Sequence, residues 1–253
     1  MKKIKNEYLI IGGSGNLGKS IIKYRKSFKL VYPKKKKLNI LNKKSIFQNI
    51  DENIKVIINC AGLARVRECE KKPKKAYNIN VIGVKNLTDS ILKAEKKFKK
   101  KILLIHISTD AVYSCLSGNY KENNKCKPQN VYGKTKLLGE KFIKKLNSFI
   151  IIRTRFFNKK KIKYKDAAVN IFSSMIEREK LANIIFFLSN TGYKGILNVG
   201  GPRKSDYKIL RKYKKLKKTT WEKISKNSKV FISKDSSLNL KKFDSLLKNK
   251  KNK

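Results

Sequence analysis

Tyr132 and Lys136 stand four residues apart in the stretch Val131-Tyr132-Gly133-Lys134-Thr135-Lys136. On a helix this spacing puts both side chains on one face, one turn apart. A phenol is a poor proton donor or acceptor at neutral pH until something stabilises its anion, and an ammonium group a few ångströms away does that. The pair therefore offers a tunable acid/base. Tyr-x-x-x-Lys also arises by chance in a lysine-rich chain, so the surrounding elements must supply something for it to act on.

The first such element lies at the start of the chain. Tyr8-Leu9-Ile10-Ile11 is a short apolar run that reads as a buried strand. Gly12-Gly13-Ser14-Gly15-Asn16-Leu17-Gly18 follows, and then a helix-like stretch from Lys19 to about Lys26. Strand, glycine loop and helix in that order form the context in which glycines at 12, 15 and 18 suit a dinucleotide. The loop backbone can approach a pyrophosphate, and the helix N-terminus supplies free N–H groups. An ordinary glycine turn is the plainer alternative. Lys29-Leu30-Val31-Tyr32 is the second expected strand, followed by Pro33 and Lys34 to Lys37 where an NAD site would carry an acid. Cations there suit a 2′-phosphate, which favours NADPH, with NADH as the alternative.

Three more strands are expected at 55–59, 102–107 and 149–153. The first runs into Cys60-Ala61-Gly62, small residues that let a cofactor pass over the strand end. Pro73 begins a long expected helix to about Lys96. The fourth strand contains His106, read as a core or edge histidine and not a catalyst, and ends in Ser108-Thr109-Asp110, where open α/β sheets place ligands. Strands alternating with helices specify an α/β fold with a doubly wound parallel sheet. Beyond Thr154 the pattern is more mixed: helices are expected at 168–176, 179–188, 206–215 and 241–247, and a strand at 196–199. The division implied is a dinucleotide-binding Rossmann domain over 1–153, a small substrate-binding subdomain over 154–247 interleaved with it, and a disordered tail over 248–253.

Composition narrows the function. The net charge of +48 invites a nucleic-acid reading, yet only eight basic residues are arginine beside 57 lysines. Lys, Asn and Ile are the residues of A/T-rich codons, and the lysines spread over the whole length. A specific nucleic-acid binder would use more arginine and interleave aromatics. No specific nucleic-acid partner is therefore expected. No apolar run approaches the roughly 18 residues of a membrane span. The first seven residues lack the apolar stretch of a signal peptide. Cys60, Cys69, Cys115 and Cys126 form no Cys-x-x-Cys, and His106 is the one histidine, so no zinc site is expected. Reduced thiols point to the cytoplasm.

These pieces, in this order, resemble the extended short-chain dehydrogenase/reductase family, and within it the dTDP-4-dehydrorhamnose reductase branch. The resemblance rests on the glycine loop, Cys60-Ala61-Gly62, the segment from Ser108 to Tyr113, Tyr120-Lys121-Glu122-Asn123, and the segment from Pro128 to Glu140. Arg153-Thr154-Arg155-Phe156-Phe157 and the segment from Gly195 to Pro202 add looser matches. It implies reduction of a nucleotide-linked 4-keto sugar by NADPH in cell-surface polysaccharide synthesis. Tyr132 would donate the proton, Lys136 would lower the tyrosine pKa and bind the nicotinamide ribose, and Thr109 would hold the carbonyl oxygen. Gly12, Gly15, Asn16, Leu17, Gly18, Ala61 and Gly62 fall at cofactor positions, and Asp110 and Phe156 at sugar-nucleotide positions. The dehydratase branch carries a glutamate directly after Thr-Asp; Ala111 stands there instead, against dehydration. An epimerase and a non-catalytic binding member stay open, as does pairing of two copies into a homodimer.

Overall fold

The computed structural model describes residues 7–24 and 29–251. The reading of the first six residues as lacking a signal peptide lies outside them, as do the last two residues expected in the helix after the glycine loop. Six parallel strands make the central sheet: β1 (Glu7–Ile11), β2 (Lys29–Val31), β3 (Ile54–Asn59), β4 (Leu103–Ile107), β5 (Phe149–Arg153) and β6 (Gly195–Asn198). Their spatial order is β2-β1-β3-β4-β5-β6. The chain direction across the sheet reverses between β1 and β3, and doubly wound sheets open a ligand crevice at such a point.

Period-two alternation explains why the strands are apolar throughout. Tyr8, Ile10, Ile58, Ile105, Ile150 and Ile152 face one layer, which contains Leu17 and Ile21 of α1 (Asn16–Tyr24) and Leu181, Ile185 and Phe186 from further along the chain. Leu9, Ile11, Ile57, Leu104 and Ile151 face the other, which holds Ile46 of α2 (Lys43–Gln48) and Leu87 and Ile91 of the helix from Gly83. A sheet covered on both faces has no polar side to show.

The helix expected from Pro73 is three joined segments beyond α3 (Val66–Lys71): α4 (Pro73–Tyr77), a π-helical turn (Asn78–Ile82) and α5 (Gly83–Phe98). Proline sits at the helix start, where its missing N–H costs nothing. The wide turn aims Asn80 at two other elements: its amide accepts from Leu63 N–H at 2.8 Å and donates to Thr135 Oγ1 at 3.0 Å. α6 (Val131–Ile143) carries the Tyr/Lys pair and is capped by Asn130, whose side chain accepts from Gly133 N–H at 2.7 Å.

The second half departs from expectation in three places. Residues 168–176 are not helical; the region forms short strand pieces, Asp166–Ala168, Phe172–Ser173 and Ile176–Glu177, each paired with a distant segment. Serines 173 and 174 and the β-branched residues around them favour extended backbone, and long-range pairing decides the outcome. The helix at 206 ends at Leu210, and Lys214 Nζ then donates to the carbonyls of Ile162 and Tyr164, tying the following residues to another loop. The terminal helix, Lys241–Lys251, covers most of the tail expected to be disordered from 248; residues 252–253 lie outside the described residues. Its Phe243 packs into the core beneath the sheet, which anchors it. α7 (Arg178–Leu188) and β6 return from the second half to the first, α7 against α1 and β6 beside β5. Among the described residues no helix is long and apolar enough to cross a membrane.

Candidate active site

The carboxyl ends of β3 and β4 and the start of α6 form one site. Beyond β4, Thr109 caps a short 3-10 turn (Asp110–Val112) by accepting from Ala111 N–H at 3.1 Å. This cap fixes the Thr109 hydroxyl, which also reaches Asp110 Oδ1 at 3.1 Å. Thr109 and Asp110 are both buried. Burial pushes the Tyr132 phenol above its usual pKa, and a hydrogen bond with Thr109 works against that rise. The structure thus brings Thr109, Asp110 and Tyr132 together.

Lys136 is handled differently from the expected ammonium beside a phenol. Its buried Nζ lies 2.9 Å from His106 Nε2 and donates to Ile107 O at 2.7 Å. Burial lowers its pKa to about 8, with the Glu140 carboxylate opposing that fall. Lys134, two residues from the tyrosine, is exposed. Glu140 is itself fully committed: it accepts from Ser108 Oγ at 2.5 Å and from Arg153 Nε at 3.2 Å and Nη2 at 2.7 Å.

His106 is a core histidine, as the sequence indicates, but its ring also touches the site. It pairs in register with Asn59 of β3, whose Nδ2 lies 3.1 Å from His106 Nδ1. Burial and the nearby Lys136 hold the imidazole well below its usual pKa, so it is neutral. Asn80 and Asn59 were not singled out from sequence. Asparagine at the very end of a buried strand, in a run of isoleucines, was the available signal for Asn59.

The glycine loop sits at the β1/β3 crevice. Gly12 adopts φ +82°, and a Cβ there would stand 2.6 Å from Ala61 N. That close approach requires glycine and brings the loop against Ala61-Gly62. Gly15 N–H donates to Gly12 O at 3.0 Å, and Ser14, Gly15 and Asn16 are exposed at the open N-terminus of α1. Gly18 is buried behind them. Leu17 buries its side chain in the core, so what it offers the loop is backbone. Lys34 to Lys37 are exposed just beyond β2.

Phe156 lies in a two-residue strand beside Ile176–Glu177 and packs on the main core. Arg155 donates to Asp206 Oδ2 at 3.1 Å. Burial raises the Asp110 pKa, while Arg155, Ser236 and Thr109 work against the rise. Asp110, Arg155 and Ser236 therefore share one corner beside the Tyr132 phenol.

This arrangement has counterparts. The family model described as RmlD substrate binding domain matches residues 6–185. The dTDP-4-dehydrorhamnose reductase of Aggregatibacter actinomycetemcomitans is 36% identical over 152 residues, covering 58% of this chain and 50% of the relative. The spore coat polysaccharide biosynthesis protein SpsK of Bacillus subtilis is 30% identical over 140 residues, covering 54% and 47%. The chain thus spans about half the length of these curated relatives. Among solved structures, a dTDP-4-dehydrorhamnose reductase from Bacillus anthracis in complex with NADP superposes with a TM-score of 0.79 at 25% identity, covering 92% of this chain and 90% of that one. With a family match over most of its length and a Rossmann-type sheet that superposes on that reductase, the chain belongs to the RmlD substrate-binding-domain family.

Proposed function

We propose that the protein is an NADPH-dependent reductase of a nucleotide-linked 4-keto sugar, acting in cell-surface polysaccharide synthesis. The observation that carries this reading is the buried, capped Thr109 hydroxyl at the sheet's carboxyl end, acting on the phenol of Tyr132, which stands one helical turn from the buried Lys136. The names of the relatives support the substrate class, and the NADP bound to the Bacillus anthracis enzyme supports the cofactor.

The residues present fit a dinucleotide. The exposed loop at Ser14 to Asn16 ends in a helix N-terminus, and Gly12 lets that loop close on Ala61 and Gly62. Gly15, Asn16, Leu17 and Gly18 would meet the pyrophosphate through their backbone, and Lys34 to Lys37 would meet a 2′-phosphate. The nicotinamide, when bound, supplies the hydride. The chain's own groups do the rest. Tyr132 carries its proton, but burial makes the phenol a weaker acid, so donation to the carbonyl oxygen would need the Lys136 ammonium to stabilise the anion that forms. Thr109, oriented by its capping bond, holds that oxygen in reach of the phenol. Lys136 has N–H groups for the ribose hydroxyls beyond the one given to Ile107 O. Asp110 and Phe156 line the sugar side. The four free cysteines agree with a reducing, cytoplasmic setting.

Incubation with NADPH and a panel of 4-keto sugar nucleotides, followed by absorbance, tests the reading. Turnover should fall about 100- to 10,000-fold in Tyr132→Phe. No turnover by the wild type, or turnover undiminished in that variant, refutes it. A change of sugar stereochemistry without loss of NADPH would mark an epimerase instead.

A further inference from the structure

The two ring nitrogens of His106 both face nitrogen atoms, and the donors among them do not add up if Lys136 is charged. Ala61 N–H donates to Asn59 Oδ1 at 3.0 Å. That bond fixes the amide, so Asn59 turns its Nδ2 toward the ring and donates to His106 Nδ1 at 3.1 Å. A neutral imidazole has one N–H and one lone pair. With Nδ1 accepting, the proton is on Nε2, which faces Lys136 Nζ at 2.9 Å. An ammonium has three N–H groups and no lone pair, so it would meet Nε2–H donor to donor. An amine resolves the conflict: its lone pair accepts from Nε2–H, and one of its own N–H groups goes to Ile107 O at 2.7 Å. The Nε2–H donor then faces an acceptor instead of a second donor, as buried polar groups require.

We propose that His106 and Asn59 are positioning residues that favour the uncharged Lys136 amine in the cofactor-free protein, so that at alkaline pH cofactor binding takes up a proton from solvent at Lys136. The proposal rests on the assignment of Lys136 to the cofactor ribose. Ribose hydroxyls bring lone pairs to Nζ, which favours the ammonium. An ammonium has nothing to accept from Nε2–H, so protonation turns Nζ from the ring toward the ribose. The charged lysine that the chemistry uses is thereby assembled with the cofactor in place.

The other groups facing Nζ leave this balance intact. Cys60, at the end of β3, is pushed up by burial to about 12 and stays a thiol. Glu140, one turn along α6, favours the ammonium but is neutralised by Arg153 and Ser108. Tyr132, on the preceding turn, stays protonated. Burial independently lowers Lys136 to about 8.

Calorimetry of NADPH binding in pairs of buffers with different ionisation enthalpies reads the proton directly. With the free-state pKa at about 8, uptake should be about half a proton at pH 8, approach one at pH 9 and vanish at pH 6.5. The comparison is made above pH 8, where the cofactor's phosphates are fully ionised. Asn59→Asp keeps the shape but replaces the donor by an acceptor. It moves the ring proton to Nδ1 and leaves Nε2 to accept from an ammonium. NADPH should still bind this variant, with uptake at pH 9 reduced to near zero. Binding by the wild type with no proton taken up between pH 8 and 9 overturns the proposal alone, whether or not the variant folds. Undiminished uptake in Asn59→Asp also overturns it, because the proton then goes elsewhere. No NADPH binding at all would overturn the cofactor assignment and this proposal with it.

Discussion

The ion pair between Arg153 and Glu140 is the most exacting test of how the sheet holds α6. Both side chains are almost fully buried, and the pair is bidentate, at 3.2 Å and 2.7 Å. Arg153 Nη1 also donates to Tyr113 OH at 2.8 Å and to Glu122 O at 3.2 Å. Glu140→Met removes the carboxylate while keeping most of the volume. It leaves a guanidinium in the core without a counter-ion and takes an acceptor from Ser108. Breaking a buried pair in this way costs about 3–5 kcal/mol. That is a large part of the roughly 5–15 kcal/mol that holds a typical domain folded. Urea unfolding followed by circular dichroism should show the loss as a lower midpoint at unchanged slope. The double variant Glu140→Met with Arg153→Met removes the stranded charge. It should recover part of the loss, remaining about 1–3 kcal/mol below wild type, because Ser108 loses its acceptor and Tyr113 OH and Glu122 O lose the donor that Arg153 gave them. A single-variant loss below about 1 kcal/mol would refute the argument, as would a double variant no more stable than the sum of its parts.

Two further outcomes follow from the same geometry. Lys136→Met should lower kcat/KM by about 100-fold or more, while Lys134→Ala, on the exposed face, should stay within about twofold of wild type; equal losses would remove the distinction between the two lysines. Burial disfavours the Glu177 carboxylate, but hydrogen bonds from Lys159, Lys180 and Tyr213 outweigh it and hold its pKa at about 2 against a usual 4.5. A depressed carboxylate stabilises the fold above its unfolded pKa and loses that contribution as pH falls through the folded one. Glu177→Gln should therefore melt below wild type at pH 6, with the gap closing between pH 4.5 and 2; a gap independent of pH would contradict this.

Local signals carried most of the first half of the chain. The isoleucine-rich strands, the glycine loop and the Tyr/Lys helix are each readable within a few residues, and the structure finds all five of the strands expected before residue 154. The glycine spacing was legible because Gly12 must pass close to Ala61. What escaped depends on distant partners. Lys136 points at His106 and not at Tyr132, because strand β4 presents the ring and the Ile107 carbonyl at that depth. No spacing between residues 106 and 136 announces it. The stretch from 166 to 177 has enough apolar residues for a helix, and only its pairing with 156–157, 204–205 and 217–219 makes it extended. Asn80 depends on a π-turn that the helical periodicity around it conceals.

The order of strands has a consequence for how the chain emerges during synthesis. β5 lies between β4 and β6, and its neighbour β6 is made more than 40 residues later. Until then the Ile150-Ile151-Ile152 edge offers its backbone to any strand it meets. The chain reaching the ribosome exit just after residue 153 thus holds five of the six strands of the sheet, with one adhesive side. Translation pauses in that interval should favour aggregation, and a chaperone bound to the β5 edge should suppress it. The interleaving that brings β6 home makes the sheet of the first half dependent on a strand that is made last.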